Sequence, residues 1–345
     1  MSGTVIETKQ RDGALDFIRF ISVLLVICIH VAAVGFAEIG AHGWWAINAY
    51  DSVARIAVPL FFMVTGALLV PRESSVPSIL RRVLRIAIPL VAWSVIYLLW
   101  FRVTGDMTAP SILNVAVGPV VYHLWYLYVL IGAYLFLPVM AGFYQANKTQ
   151  TILFVLALWF LGASVVPTIA ALTGITIIGI DWTFLSWTAG YFVLGAVLYK
   201  RLDLGRIRLS LVVVIWAATT AATALSTWYF SAADGAANQT FYRYFSPFIV
   251  VGAVAAFVIM SKAYSRFFAA RARVTRQLRW LSTVSFGIYL FHPLAIYALA
   301  KVGINYDFIN PWVGIPVLTV GIFVVSAGVV FLLQRIPLVR AIVPS

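Results

Sequence analysis

The stretch LDFIRFISVLLVICIHV, Leu15 to Val31, decides the class of this protein. About 20 mainly apolar residues suffice to cross the hydrocarbon core of a bilayer, and the apolar run here extends to Ala37. Yet the stretch holds Asp16, Arg19 and His30. Ionisable groups at membrane depth are costly and mark function by default.

The rest of the chain agrees with the membrane reading. Its 345 residues are 63% hydrophobic and 10% charged, with a mean hydropathy of +1.00. Soluble domains carry about 25% charged residues, so a soluble fold of this length would leave too much apolar surface wet. The expected fold is all-α, a polytopic membrane protein. The 12 Trp suit interfacial belts. Residues 1–14 are mostly polar and no A-x-A-like site follows a short apolar core, so the first run reads as a retained span. The one cysteine, Cys28, lies inside that run, which excludes an intramolecular disulfide.

Ten apolar runs follow one another, at roughly 15–37, 47–70, 83–103, 123–143, 151–172, 183–199, 209–230, 244–264, 281–301 and 312–333. The sixth is the shortest. Alternation assigns 19 of the 24 Lys and Arg to one side, among them Lys9, Arg11, Arg72, Lys148, Arg201, Lys262, Arg279 and Arg340. Arg55, Arg102, Arg243 and Lys301 fall on or near the other, as do Glu38, Asp51, Asp106, Asp181, Asp234 and Asp307. The positive-inside rule makes the basic side, and both termini, cytoplasmic. Topology thus explains the net charge of +13, and no nucleic-acid partner is implied. The chain is expected to form one integral-membrane domain, 1–345, with cytoplasmic segments at 1–14 and 334–345. It shows no heptad array and no repeat of fixed period.

Three of the four histidines, His30, His123 and His292, fall in or at spans; only His42 is in a loop. His30 lies eleven positions after Arg19, which amounts to three helical turns plus about 20° and a rise of about 16 Å. The two therefore share a face at different depths and are placed to contact the two ends of one long ligand. Asp16 precedes Arg19 by three and can pair with it. The bland alternative is a snorkelling arginine with a histidine satisfied by a neighbouring helix.

Arg81, Arg82 and Arg85 open the third span in RRVLRIAIPL. Positive-inside bias accounts for most of that charge, and guanidinium forks also match phosphate oxygens. In DSVARIAVPLFFMVTGALL, Asp51 and Arg55 are i, i+4 and can form an ion pair. Pro59 breaks the helix ladder there, and Gly66 permits close approach of another helix. His123 and Trp125 sit in VYHLWYLYVL, which also reads as an interfacial anchor. Ser285, Tyr289 and His292, at i, i+4, i+7, form one polar stripe just before Pro293. Such a stripe needs partners or a water-filled cavity.

Arg19 with ten residues before His30, then VPLFFMVTGALL, RRVLR, YHLWYL and SFGIYLFHP, in that order, resemble the membrane acyltransferase-3 family, in its short form without a soluble domain. The resemblance implies ten core helices in the bacterial inner membrane and an O-acyltransferase. The acyl group, usually acetyl, would pass from cytoplasmic acetyl-CoA or another acyl-CoA to a hydroxyl of a cell-surface or lipid-linked glycan. It implies roles for Arg19, His30, Arg82 and Arg85. The chain departs from many members by Val58 before Pro59 and Thr65 before Gly66, where a serine is common; Thr65 keeps a hydroxyl.

On this reading Arg19, Arg81, Arg82 and Arg85 hold the donor's phosphates, and neutral His30 is a general base. Asp51, Arg55, His123, Trp125, Tyr289 and His292 are candidates for the acceptor side, with Tyr289, His292 and His123 also candidate oxyanion donors. No metal is expected. A proton-coupled secondary transporter using Asp16, Arg19, His30 and His292, or a polysaccharide exporter, stays open on the residues alone.

Overall fold

The computed structural model describes residues 12–105, 113–178, 180–182 and 186–344. Lys9, Arg11 and Asp106, the start of the sixth run at 183–185, and most of the 1–14 segment lie outside them. Thirteen α-helices occur among the described residues: α1 Gly13–Ala32, α2 Trp44–Ala54, α3 Ala57–Leu69, α4 Val76–Val103, α5 Asn114–Val117, α6 Trp125–Ala146, α7 Thr149–Phe160, α8 Val166–Thr173, α9 Trp187–Lys200, α10 Leu209–Asp234, α11 Pro247–Ala263, α12 Ala272–Lys301 and α13 Pro311–Leu333. Nine helical segments among them are long and apolar enough to cross a membrane, so the protein is an all-α, multi-pass membrane protein.

The spans differ in detail from the ten expected runs. The sixth is α9, only 14 residues, or about 21 Å of rise against a core of about 30 Å. It is nevertheless an integral part of the bundle, with most of its residues buried. It is clasped at both ends: Ser186 O accepts from Trp159 Nε1 (3.2 Å), and Arg201 donates to Tyr144 O (2.5 Å) and Asn147 O (2.8 Å). Gly66 and Gly195 explain its close packing on α3. A Cβ on Gly66 would run into the Phe192 backbone, and one on Gly195 into the Met63 backbone. Small residues at such crossings let helices meet without a hydrophobic driving force.

The second run is two helices rather than one. The break falls at Arg55 and Ile56. Pro59 has no N–H, and its ring displaces the carbonyl four residues back, which is that of Arg55. The fifth run is interrupted by a π turn at Leu161–Val165.

The loops assigned to one side are joined in space. Lys262 Nζ donates to Gly205 O (3.1 Å), and Arg201 reaches Asn147 O, linking three basic loops. On the opposite side Lys301 Nζ reaches Thr104 O (3.5 Å). Arg335 to Leu338 are exposed, but the last residues of the 334–344 segment return to the bundle. Val343 is fully buried, Ile342 O accepts from Trp93 Nε1 (2.9 Å), and Gln334 Nε2 donates to Val343 O (3.3 Å).

A candidate active-site chamber between α1, α6 and α12

Helix α1 is continuous from Asp12, whose side chain caps Ala14 N at 3.0 Å, to Ala32. Arg19 and His30 therefore keep the separation of about 16 Å that an unbroken helix demands. Both line one cavity of about 270 Å³, together with Arg85, His123, Trp125 and Tyr289. At its basic end Arg19 Nη1 donates to Ser282 Oγ (2.6 Å) and stands 3.8 Å from Asp16 Oδ1. Arg85 shares that mouth, and so does Pro344 of the folded-back tail. Arg82 is half-buried just outside the lining, and Arg81 is exposed, its Nε donating to Pro77 O (3.2 Å).

Three histidines meet at the inner end. The His30 ring stacks on His292, with centroids 5.3 Å apart and planes 23° from parallel. His123 meets His292 edge-on at 5.5 Å, and Tyr122 covers His30 at 4.7 Å. His123 and His292 are fully buried, whereas His30 is open to the cavity. Among the described residues no group of three or more His, Cys, Asp or Glu has a metal-holding arrangement.

The orientation of His292 follows from Pro293. A proline at 293 leaves the carbonyl of residue 289 without its helical donor. His292 Nδ1 takes up that carbonyl at 2.8 Å, with Ile288 O at 3.2 Å. A carbonyl only accepts, so Nδ1 carries the proton and Nε2 holds the lone pair. Among the described residues Nε2 has no hydrogen-bond partner. The Tyr289 hydroxyl donates to His123 O. It is thus a strut that holds His123 in place, not a free donor to a reacting oxygen. Pro316 works in the same way: the Trp312 carbonyl it frees accepts from Tyr50 at 2.9 Å.

Asp51 and Arg55 form the expected ion pair, at 2.6 Å, with Asp51 fully buried. They do not line the chamber. Arg55 lies under the Tyr242 ring, 4.4 Å from its centroid, and faces a second cavity. Ser282, Thr65 and Tyr244 line the chamber without having been singled out for it. Ser282 was within reach, because it extends the stripe of Ser285, Tyr289 and His292 by one turn. Nothing local to Tyr244 points to the site; it arrives there by tertiary packing.

The family model for the acyltransferase domain of the acyltransferase-3 family matches residues 12–331. The chain belongs to that family. Arg19, His30, Arg85, His123 and Tyr289 of this acyltransferase-3 chain fall inside the match, and Pro344 at the chamber mouth falls beyond it. An amino-acid racemase of Enterococcus faecalis is 31% identical over 130 residues, which cover 35% of this chain and 17% of the racemase. The matched part is therefore less than one-fifth of that relative's length. No solved structure matches the chain.

Proposed function

We propose that the protein is an acyl-CoA-dependent O-acyltransferase of the bacterial inner membrane, moving an acetyl or similar acyl group to a hydroxyl of a cell-surface or lipid-linked glycan. The observation that carries this reading is that Arg19 and His30, on one unbroken helix, line the same elongated cavity. Family membership supports acyl transfer over transport or export.

The residues fit such a donor. Guanidinium groups at Arg19 and Arg85 suit phosphate oxygens at a cytoplasmic mouth. A chamber of about 270 Å³ suits a slender thioester arm rather than a nucleotide, which would stay outside with the arginines. Acyl-CoA supplies an activated carbonyl. His30 accepts the proton of the acceptor hydroxyl as its oxygen attacks that carbonyl. The C–S bond breaks, and the proton passes from His30 to the departing thiolate. His292, stacked on His30 and tied to the backbone, limits the positions the His30 ring can take.

The test uses radiolabelled acetyl-CoA with the protein in proteoliposomes and a membrane glycan extract. Wild type should give alkali-labile label on saccharide. His30→Ala should give none while its acetyl-CoA affinity stays within about twofold. Turnover retained in that variant ends the base assignment.

A further inference from the structure

The segment that follows α13 ends at the basic mouth of the chamber. Short turns carry it there, the last of them closed by Val343 N on Val339 O (3.2 Å). Pro344 stops the turning, because the residue before a proline disfavours helical angles. Pro344 then lines the cavity together with Arg19, Arg85 and Thr283.

The seat of this segment is specific. Val343 is fully buried and rests on α12 at Gly287, where a Cβ would stand 2.7 Å from a Val343 methyl. The Trp93 indole of α4, only 2% exposed, donates to Ile342 O (2.9 Å), and Gln334 Nε2 donates to Val343 O (3.3 Å). A buried indole N–H without an acceptor is costly, so α4 gains from the contact as well as the tail. One turn deeper, α4 reaches α12 directly, the Tyr97 hydroxyl donating to Leu290 O (2.8 Å). At Trp93 the link from α4 to Gly287 runs through the tail instead.

Arg85 lies eight residues before Trp93 on the same helix, about 12 Å nearer the mouth. Arg19 is tied to α12 through Ser282. The spacing between the two guanidinium groups therefore depends on what holds α4 against α12, and at the mouth that is the tail. With the tail seated, Arg85 is exposed and the Arg19 side chain is 22% exposed, so the mouth stays open. The tail is a wall and not a plug. The family match stops at residue 331, so this wall comes from outside the matched domain.

We propose that residues 339–344 form a fixed wall of the donor mouth, with Trp93 and Val343 as positioning residues. Seated, the wall holds Arg85 and the Arg19–Ser282 pair at the spacing that binds the donor's phosphates. The donor in this statement rests on the acyl-CoA reading; the wall itself does not.

The test uses the full chain in nanodiscs with two readouts. The first is the rate at which methanethiosulfonate ethylsulfonate modifies a reporter, Thr65→Cys, in the chamber lining. The native Cys28 is buried and outside that lining, so wild type is the blank. The second is acetyl-CoA affinity by titration calorimetry, without the reporter. Val343→Asp, which drives the tail off its seat, should speed labelling at least fivefold and weaken acetyl-CoA about tenfold. Trp93→Phe, which keeps a ring and loses the N–H, should move both in the same directions by about threefold. Leu338→Ser, at a 92% exposed position of the same segment, should change neither. If Val343→Asp fails to accumulate, Trp93→Phe carries the test. Unchanged labelling in the tail variants overturns the wall, and so does tighter acetyl-CoA binding, which is the mark of a plug. If wild type binds no acetyl-CoA, the donor reading falls, and the labelling rates alone decide the wall.

Discussion

The imidazole of His292 lies against that of His30, centroids 5.3 Å apart, and is itself pinned through Nδ1 to the carbonyl of Tyr289. That carbonyl is available because Pro293 has no N–H to offer it. One proline thus sets the tautomer of a buried histidine, and that histidine sets the face on which the His30 ring rests.

This makes Pro293→Ala informative. The alanine restores a helical donor that competes with His292 for the Tyr289 carbonyl. Helix stability should be unchanged or higher, because an interior proline costs about 3 kcal/mol relative to Ala. Turnover should nevertheless fall, by less than about tenfold, because the change reaches His30 only through the ring it rests on. Thermal unfolding with acetyl transfer on the same preparation checks both signs.

His292→Phe keeps a ring against His30 but removes the nitrogens. If His292 only positions His30, acetyl transfer should drop less than about tenfold, well short of the 10²–10⁴ expected for losing a general acid or base. His30→Phe should show the full loss. Steady-state rates at saturating acetyl-CoA separate the two.

Arg19 donates to Ser282 Oγ at 2.6 Å while keeping Asp16 within 3.8 Å. Arg19→Lys retains the charge and loses the fork. We expect KM for acetyl-CoA to rise about tenfold, with a smaller change in kcat. Ser282→Ala should cost less, about 1 kcal/mol in donor binding or some fivefold, since one hydrogen bond is removed. Initial-rate kinetics over a range of donor concentrations decide this.

The Asp51–Arg55 pair is buried at a helix break, so removing one partner strands a charge. Asp51→Ala should destabilise the fold by about 3–5 kcal/mol, and Asp51→Leu combined with Arg55→Met should recover most of that. Unfolding midpoints in detergent for the two variants test it.

Gly66→Leu should break the α3–α9 contact, because the Cβ alone meets the Phe192 backbone. No rotamer relieves a backbone collision. A loss above about 3 kcal/mol, or failure to accumulate in the membrane, is expected, against near-neutral behaviour for Gly132→Leu. Expression level and monodispersity of the two variants provide the comparison.

The sequence by itself determined the membrane class, nearly all of the spans and the grouping of the basic loops on one side. Those depend on hydropathy and charge counted along the chain, and a bilayer enforces both locally. The pairing of Asp16 with Arg19 and of Asp51 with Arg55 was legible for the same reason, since helical spacing alone brings each pair together. So was the shared face of Arg19 and His30. Tertiary structure decided the rest. His30, His123 and His292 lie in three separate segments of the chain, and no local rule says that their rings meet. The short α9 fell below the length of a span because its neighbours, not lipid, cover most of it. Tyr244 and Trp187 gained their positions through packing, and Arg55 faces a second cavity rather than the chamber. A period along a helix can show which residues face the same way; only the packed bundle shows what they face.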